Sequence, residues 1–158
     1  DESADLGSLR LIDLPDRAAA EQHIADEPYV IGGVQKRWQI HRWRGGLPYS
    51  WRDCPRKEGN IQAMFHAVDH PDAKEKRIEH RETHAAYLKE RADMIMMHGP
   101  LLDDEGAQTI GSVWLLDVPS LAAGRELFEG DPFYTSGVFK DVTFHRWRFG
   151  RVFDRFKV

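Results

Sequence analysis

Ile61-Gln-Ala-Met-Phe-His-Ala-Val68, followed by the helix signal Pro71-Asp-Ala-Lys-Glu75, is the stretch whose reading decides the fold. Residues 61–68 alternate and carry Met64, Phe65 and Val68, a pattern that suits a strand. Asp72 is expected to cap a helix, and Glu75 three residues on completes a capping box. The helix is predicted to run to Ala92, with Ile78, Ala85 and Leu88 on its buried side. Inside it lies Arg77-Ile-Glu-His-Arg-Glu-Thr-His84. Three- and four-residue spacings place Arg77, His80, Arg81 and His84 on one helical face. Two imidazoles and two guanidiniums together are unusual for a surface that only packs. His84 falls at the edge of the apolar stripe, where an imidazole is both held and reachable.

The elements beyond repeat the alternation of strand and helix. Asp93–Met97 reads as a second strand, ended by His98-Gly-Pro100, and an acidic loop covers Leu101–Ile110. Ser112–Val118 is a third strand, with Val113 and Leu115 alternating with Trp114 and Leu116. Pro119-Ser120 starts a second helix that ends near Gly130. Asp131-Pro-Phe-Tyr134 forms a turn, Gly137 a bend, and Phe139–Arg148 the last strand. The order βαββαβ predicts an α+β fold, the ferredoxin-like plait of two split βαβ units. Helices cover one face of such a sheet. Its remaining apolar residues call for a second sheet over the other face, from another repeat or another chain.

Residues 7–44 and 111–148 match at a constant offset of 104, with 15 identities in 38 ungapped positions. Random pairing at average composition gives roughly two or three. His41-Arg-Trp-Arg44 returns whole as His145-Arg-Trp-Arg148, and Pro28, Gly33-Val34 and Lys36 return as Pro132, Gly137-Val138 and Lys140. The expected organisation is therefore a C-terminal half-repeat over 1–44, a linker over 45–60 rich in Gly, Pro and charge, and a complete unit over 61–158. A half-unit cannot bury a core alone. Its missing strands are expected from residues upstream of Asp1 or from another chain.

The totals exclude several classes of function. The chain has 158 residues, 41% hydrophobic and 30% charged, as in a globular domain. No apolar run approaches a membrane span, and no secretory signal opens the chain. A net charge of -4 argues against a nucleic-acid partner. The lone cysteine, Cys54, forms no internal disulfide, suits a cytoplasmic location and is expected to be a passive thiol. His80-Arg-Glu-Thr-His84 lacks the glutamate directly after the first histidine that a zinc-protease helix needs, and no GxGxxG or Walker pattern occurs. Neither metal nor nucleotide is expected.

The complete unit resembles the YCII-related (YciI-like) family of the dimeric α+β barrel group. The resemblance covers residues 62–148 and rests on Arg77…Arg81-x-x-His84, His98-Gly-Pro100, Gly111-Ser112 and Asp131-Pro-Phe133…Gly137-Val138. It implies plaits paired sheet to sheet, as a pseudo-dimer of repeats or a homo-oligomer, and a pocket with a dyad formed here by His84 and Asp131. Where members of the family have a known reaction, that reaction removes HCl from a chlorinated hydroxyquinol-type ring without cofactor or metal. Residues 7–44 resemble the C-terminal half of the same domain, but Glu27 stands where the complete copy has Asp131, so one dyad per chain is expected.

The implied chemistry is that of a small-molecule lyase or isomerase. An imidazole exchanges protons near neutral pH, and a carboxylate on one ring nitrogen fixes its tautomer. Arg77 or Arg81 is expected to hold an enolate, phenolate or carboxylate, with Ser112 adding a hydrogen bond and Trp114 and Phe133 as walls. Two alternatives belong to other classes: a non-catalytic ligand-binding or interaction module, and a cofactor-free oxygenase.

Overall fold

The computed structural model describes residues 6–45, 53–54 and 56–148. Two units divide between His41 and Arg42. The first holds α1 (Arg17–Ala25) and α2 (Pro28–Ile31). The second runs β1 (Arg42–Trp43), β2 (Ile61–Asp69), α3 (Ala73–Glu79), α4 (Arg81–Glu90), a 3-10 turn (Ala92–Met94), β3 (Ile95–Leu102), β4 (Thr109–Val118), α5 (Leu121–Glu129), α6 (Pro132–Thr135) and β5 (Phe139–Trp147). Residues 46–52 and 55 of the expected linker, and 149–158 of the expected complete unit, lie outside the described residues.

The strands form one antiparallel sheet in the order β1-β3-β4-β2-β5. In β3-β4-β2-β5 each helical crossover skips one strand, so the two βαβ units interleave as the element order predicts. Alternation then sorts the side chains. Ala63, Phe65 and Ala67 of β2 and Trp114, Leu116 and Val118 of β4 face the helices and join the main core. From α5 that core takes Leu127 and Phe128, while Gly124 lets the helix approach the sheet. The spacing Gly124, Leu127, Phe128 is the i, i+3, i+4 stripe of a helix packed on one side.

One row of rings crosses the sheet. His98 pairs with Trp114, Trp114 with Phe65, and Phe65 with Phe144, so four cross-strand neighbours lie side by side. Phe128 sits on this row, 5.1 Å from Phe65 and 5.1 Å from Trp114 between ring centres. On the opposite face the buried Asp117 accepts from the Lys57 N–H, Asn60 Nδ2 and Gln62 Nε2 at 2.7–2.9 Å.

Four expectations are corrected. The helix predicted over 72–92 is two helices that break at His80, which lies outside helical geometry at φ -97°, ψ 9°. The predicted apolar stripe holds only at Leu88, which is buried; Ala85 is exposed and Ile78 is 64% exposed. Asp72 makes no capping bond, because its φ of -99° and ψ of 15° are far from the extended geometry a capping side chain requires. The second strand starts at Ile95 and continues through His98-Gly-Pro100 rather than ending there. Long-range pairing explains this last difference. A Cβ at Gly99 would run into the Arg44 carbonyl beside β1, and Pro100, which has no N–H to give, accepts from the Arg44 N–H at 3.2 Å.

In the first unit, α1 and α2 bury no residue, yet they repeat the geometry of α5 and α6 at the offset of 104. Asp16 caps α1 through the Ala19 N–H as Ser120 caps α5 through the Ala123 N–H. Gly33 (φ 70°) and Gly137 (φ 71°) both turn through the left-handed region that favours glycine. The Val34 N–H bonds the Tyr29 carbonyl as the Val138 N–H bonds that of Phe133.

Gly111 on β4 offers a direct test of the central pairing. A Cβ there would collide with the Ala67 carbonyl oxygen. Gly111→Ala is expected to lower stability by about 1–3 kcal/mol, seen as an earlier urea-unfolding midpoint. An unchanged midpoint would contradict the β2–β4 register.

Candidate active site

Asp131 is fully buried at the start of α6. Its Oδ1 accepts from the Phe133 N–H at 2.8 Å and so begins the helix. Its Oδ2 lies 2.6 Å from Nδ1 of His84, on the second turn of α4. Both carboxylate oxygens act as acceptors, so Nδ1 donates and the proton-free lone pair of the ring is left on Nε2. The His84 side chain keeps 16% of its surface exposed. Its ring stacks on Phe133 at 3.9 Å and 15°, and tilts against Trp114 at 6.1 Å. Position is therefore fixed from three sides: by the carboxylate, by a stacked ring and by the indole.

Arg77 is held nearby, in a different way from the one expected. Its Nε and Nη2 bond the two oxygens of Asp69 at 2.7 Å each, and Nη2 also bonds Ser112 Oγ at 3.0 Å. The guanidinium carbon lies 5.0 Å from the Phe133 ring centre and 5.5 Å from that of Phe139. Arg77 and Ser112 thus brace the wall behind His84, and the charge expected to hold an anionic substrate is matched by Asp69. Arg81, expected at the site, is exposed and makes no hydrogen bond or ion pair with the described residues. The break at His80 separates it from the face that carries Arg77.

Of the seven residues singled out in the sequence, His84, Asp131, Phe133, Trp114, Arg77 and Ser112 come together, and Arg81 does not. Two were missed. Asp69 carries no spacing signal, because its pairing with Arg77 depends on where β2 ends. His98 stood in the His98-Gly-Pro100 signal but was read as a strand terminator; its ring lies 6.0 Å from that of Trp114. Burial, and then the neighbouring His84, push the His98 pKa down to about 4, so this imidazole is neutral at physiological pH.

Other candidate groups lie elsewhere. Cys54 is buried, and burial raises its pKa, so it stays a protonated thiol. Among the described residues no group of three or more His, Cys, Asp or Glu is placed to hold a metal ion. An open groove of about 250 Å³ runs between Tyr87, Arg91 and Met94 on one side and Ala123, Glu126 and Leu127 on the other; neither dyad residue lines it. No helix of the described residues is long and apolar enough to cross a membrane.

The interleaved sheet thus brings a histidine from its first crossover against an aspartate from its second. Residues 61–148 match the YCII-related domain, and the chain belongs to that family. Among solved structures it is similar to the 5-chloro-2-hydroxyhydroquinone dehydrochlorinase of Burkholderia phenoliruptrix AC1100, determined in complex with 2,5-dihydroxybenzoquinone. The two are 26% identical with a TM-score of 0.53, over 58% of this chain and 98% of that one. No curated protein sequence matches the chain.

Two outcomes are expected from this geometry. Asp69→Ala leaves Arg77, whose side chain is only 14% exposed, without its counter-charge. Loss of a buried partner costs about 3–5 kcal/mol, and calorimetry of the variant should show it. His98 makes stability depend on pH. The folded protein keeps it neutral down to about pH 4, while an unfolded chain takes up that proton near 6.5. Its contribution is thus complete above 6.5 and is lost as pH falls toward 4. Between pH 6.5 and 5, His98→Gln should lose less stability than the wild type; parallel curves would contradict the assignment.

Proposed function

We propose that this protein is a lyase that moves a proton on an oxygenated ring substrate, with His84 as general base and acid and Asp131 as its orienting partner. The carrying observation is the 2.6 Å bond between Nδ1 of His84 and the buried carboxylate of Asp131. That bond presents Nε2 as the base and stabilises the imidazolium that forms when Nε2 takes a proton. The similarity to a dehydrochlorinase supports elimination of HCl as the reaction class.

The step balances within the substrate. On a chlorinated trihydroxybenzene, Nε2 takes a proton from a ring hydroxyl as electron density moves to the carbon bearing chlorine. That carbon receives the proton from the imidazolium. A second hydroxyl then loses its proton as the C–Cl bond breaks, and chloride leaves with its electron pair. The products are a hydroxyquinone and HCl. The carbon that loses chlorine is reduced while the ring is oxidised, so no external oxidant takes part. Phe133 stacks on the His84 ring and Trp114 tilts against it, so both hold the imidazole in place, and Arg77, matched by Asp69, keeps the Phe133 side rigid.

The same reading extends to assembly. The sheet pairs face to face with that of a second YCII-like unit, as a dimeric α+β barrel, and residues 7–44 are the C-terminal half of one such unit. The matching caps and turns at the offset of 104 support the second part. Glu27 caps α2 through the Tyr29 and Val30 N–H groups but pairs with Arg10 at 2.8 Å, so this half carries no dyad of its own.

Chloride release from 5-chloro-2-hydroxyhydroquinone tests the reading. His84→Ala should slow turnover by roughly 10²–10⁴-fold. Asp131→Asn should do the same by another route. Its amide oxygen would keep the Phe133 cap, its NH₂ would face Nδ1, and the ring proton would move to Nε2, the tautomer that cannot act as base. Undiminished turnover in His84→Ala would end the proposal.

A further inference from the structure

His98 is the titratable group beside the dyad for which the proton transfer has no use. It sits on β3 directly across from Trp114 on β4. Its ring stands 6.0 Å from the indole at 54°, and that of His84 stands 6.1 Å from the same indole at 56°. Two imidazoles therefore meet one ring at nearly equal distance and tilt. They differ in what holds them. His84 is bonded to Asp131. Neither nitrogen of His98 has a hydrogen-bond partner among the described residues, and neither is sealed from the surface. Both nitrogens are therefore open to a partner from outside the protein.

We propose that His98 is a substrate-recognition residue of this site, forming a hydrogen bond to a hydroxyl or carbonyl oxygen of an uncharged oxygenated ring while His84 acts on another oxygen of that ring. The inference rests on the lyase reading of the His84–Asp131 pair. A neutral imidazole offers one donor and one acceptor and no charge. A ring hydroxyl or a quinone carbonyl can satisfy either role. A carboxylate gains no ion pair from Arg77, whose guanidinium is already matched by Asp69. His98 would thus select for ring oxygens over acidic side groups, a preference the dyad alone does not supply.

Hydroquinone and benzoate, titrated by ligand-observed NMR against the wild type, His98→Gln and His98→Leu, separate the possibilities. The wild type should bind hydroquinone more tightly than benzoate. His98→Leu should weaken hydroquinone binding about tenfold, the equivalent of one lost hydrogen bond. His98→Gln, which keeps a donor and an acceptor, should stay within about threefold, and benzoate should respond to neither change. Should the leucine variant not fold, His98→Met takes its place. Wild-type affinity for hydroquinone in the leucine or methionine variant would overturn the role of His98 and leave the lyase reading standing. A fall in kcat with hydroquinone affinity unchanged would also overturn it. A wild type that binds neither probe would also overturn the role of His98, while chloride release decides the lyase reading separately.

Discussion

The carboxylate of Asp131 is the constraint on which this site depends. It has two oxygens and two tasks: one starts α6 by accepting the Phe133 N–H, and the other fixes the tautomer of His84. Because the group is fully buried, both bonds are made without competition from water, and neither can be lost cheaply. The cap also places Phe133, whose ring then supports the imidazole that the second oxygen orients. One side chain therefore sets the turn after α5, the floor under His84 and the proton position on its ring.

The sheet supplies the rest through register rather than through loops. The row from His98 through Trp114 and Phe65 to Phe144 crosses four strands, and Phe128 of α5 rests on it. A shift of one residue between β2 and β4 would send Trp114 to the opposite face. The indole that meets both imidazoles would then leave the site. Close approach at Gly111 and the bonds to Asp117 at the far end of β4 oppose such a slip.

The features legible in the sequence were those written in local pattern. Alternation around Phe65 and Trp114 marked the strands, Ser120 and Gly137 marked the limits of the second crossover, and the order of elements gave the interleaved sheet. Spacing alone did not join His84 to Asp131; family resemblance did. What escaped depends on distant partners. No proline or glycine signals the break at His80, so a continuous face was expected and Arg81 was placed at a site it does not reach. Asp69 and Arg77 meet only because β2 ends where α3 begins to pack. His98-Gly-Pro100 looks like a stop signal until Arg44 is seen against Gly99, after which it reads as the middle of a strand.

Glu27 and Asp131 lie 104 residues apart, at the same point of the two matching stretches, and do the same structural job. Each starts a four-residue helix at an acid-proline pair, and their second oxygens go to different partners, Arg10 in one case and His84 in the other. An acid before this proline can therefore persist in a relative for architectural reasons alone. Sorting active from inactive members of such a family by that acid would misclassify any chain that had kept the turn and lost the imidazole. Under the proposed lyase reading the diagnostic is the pair, and the more informative half of it lies on the earlier helix.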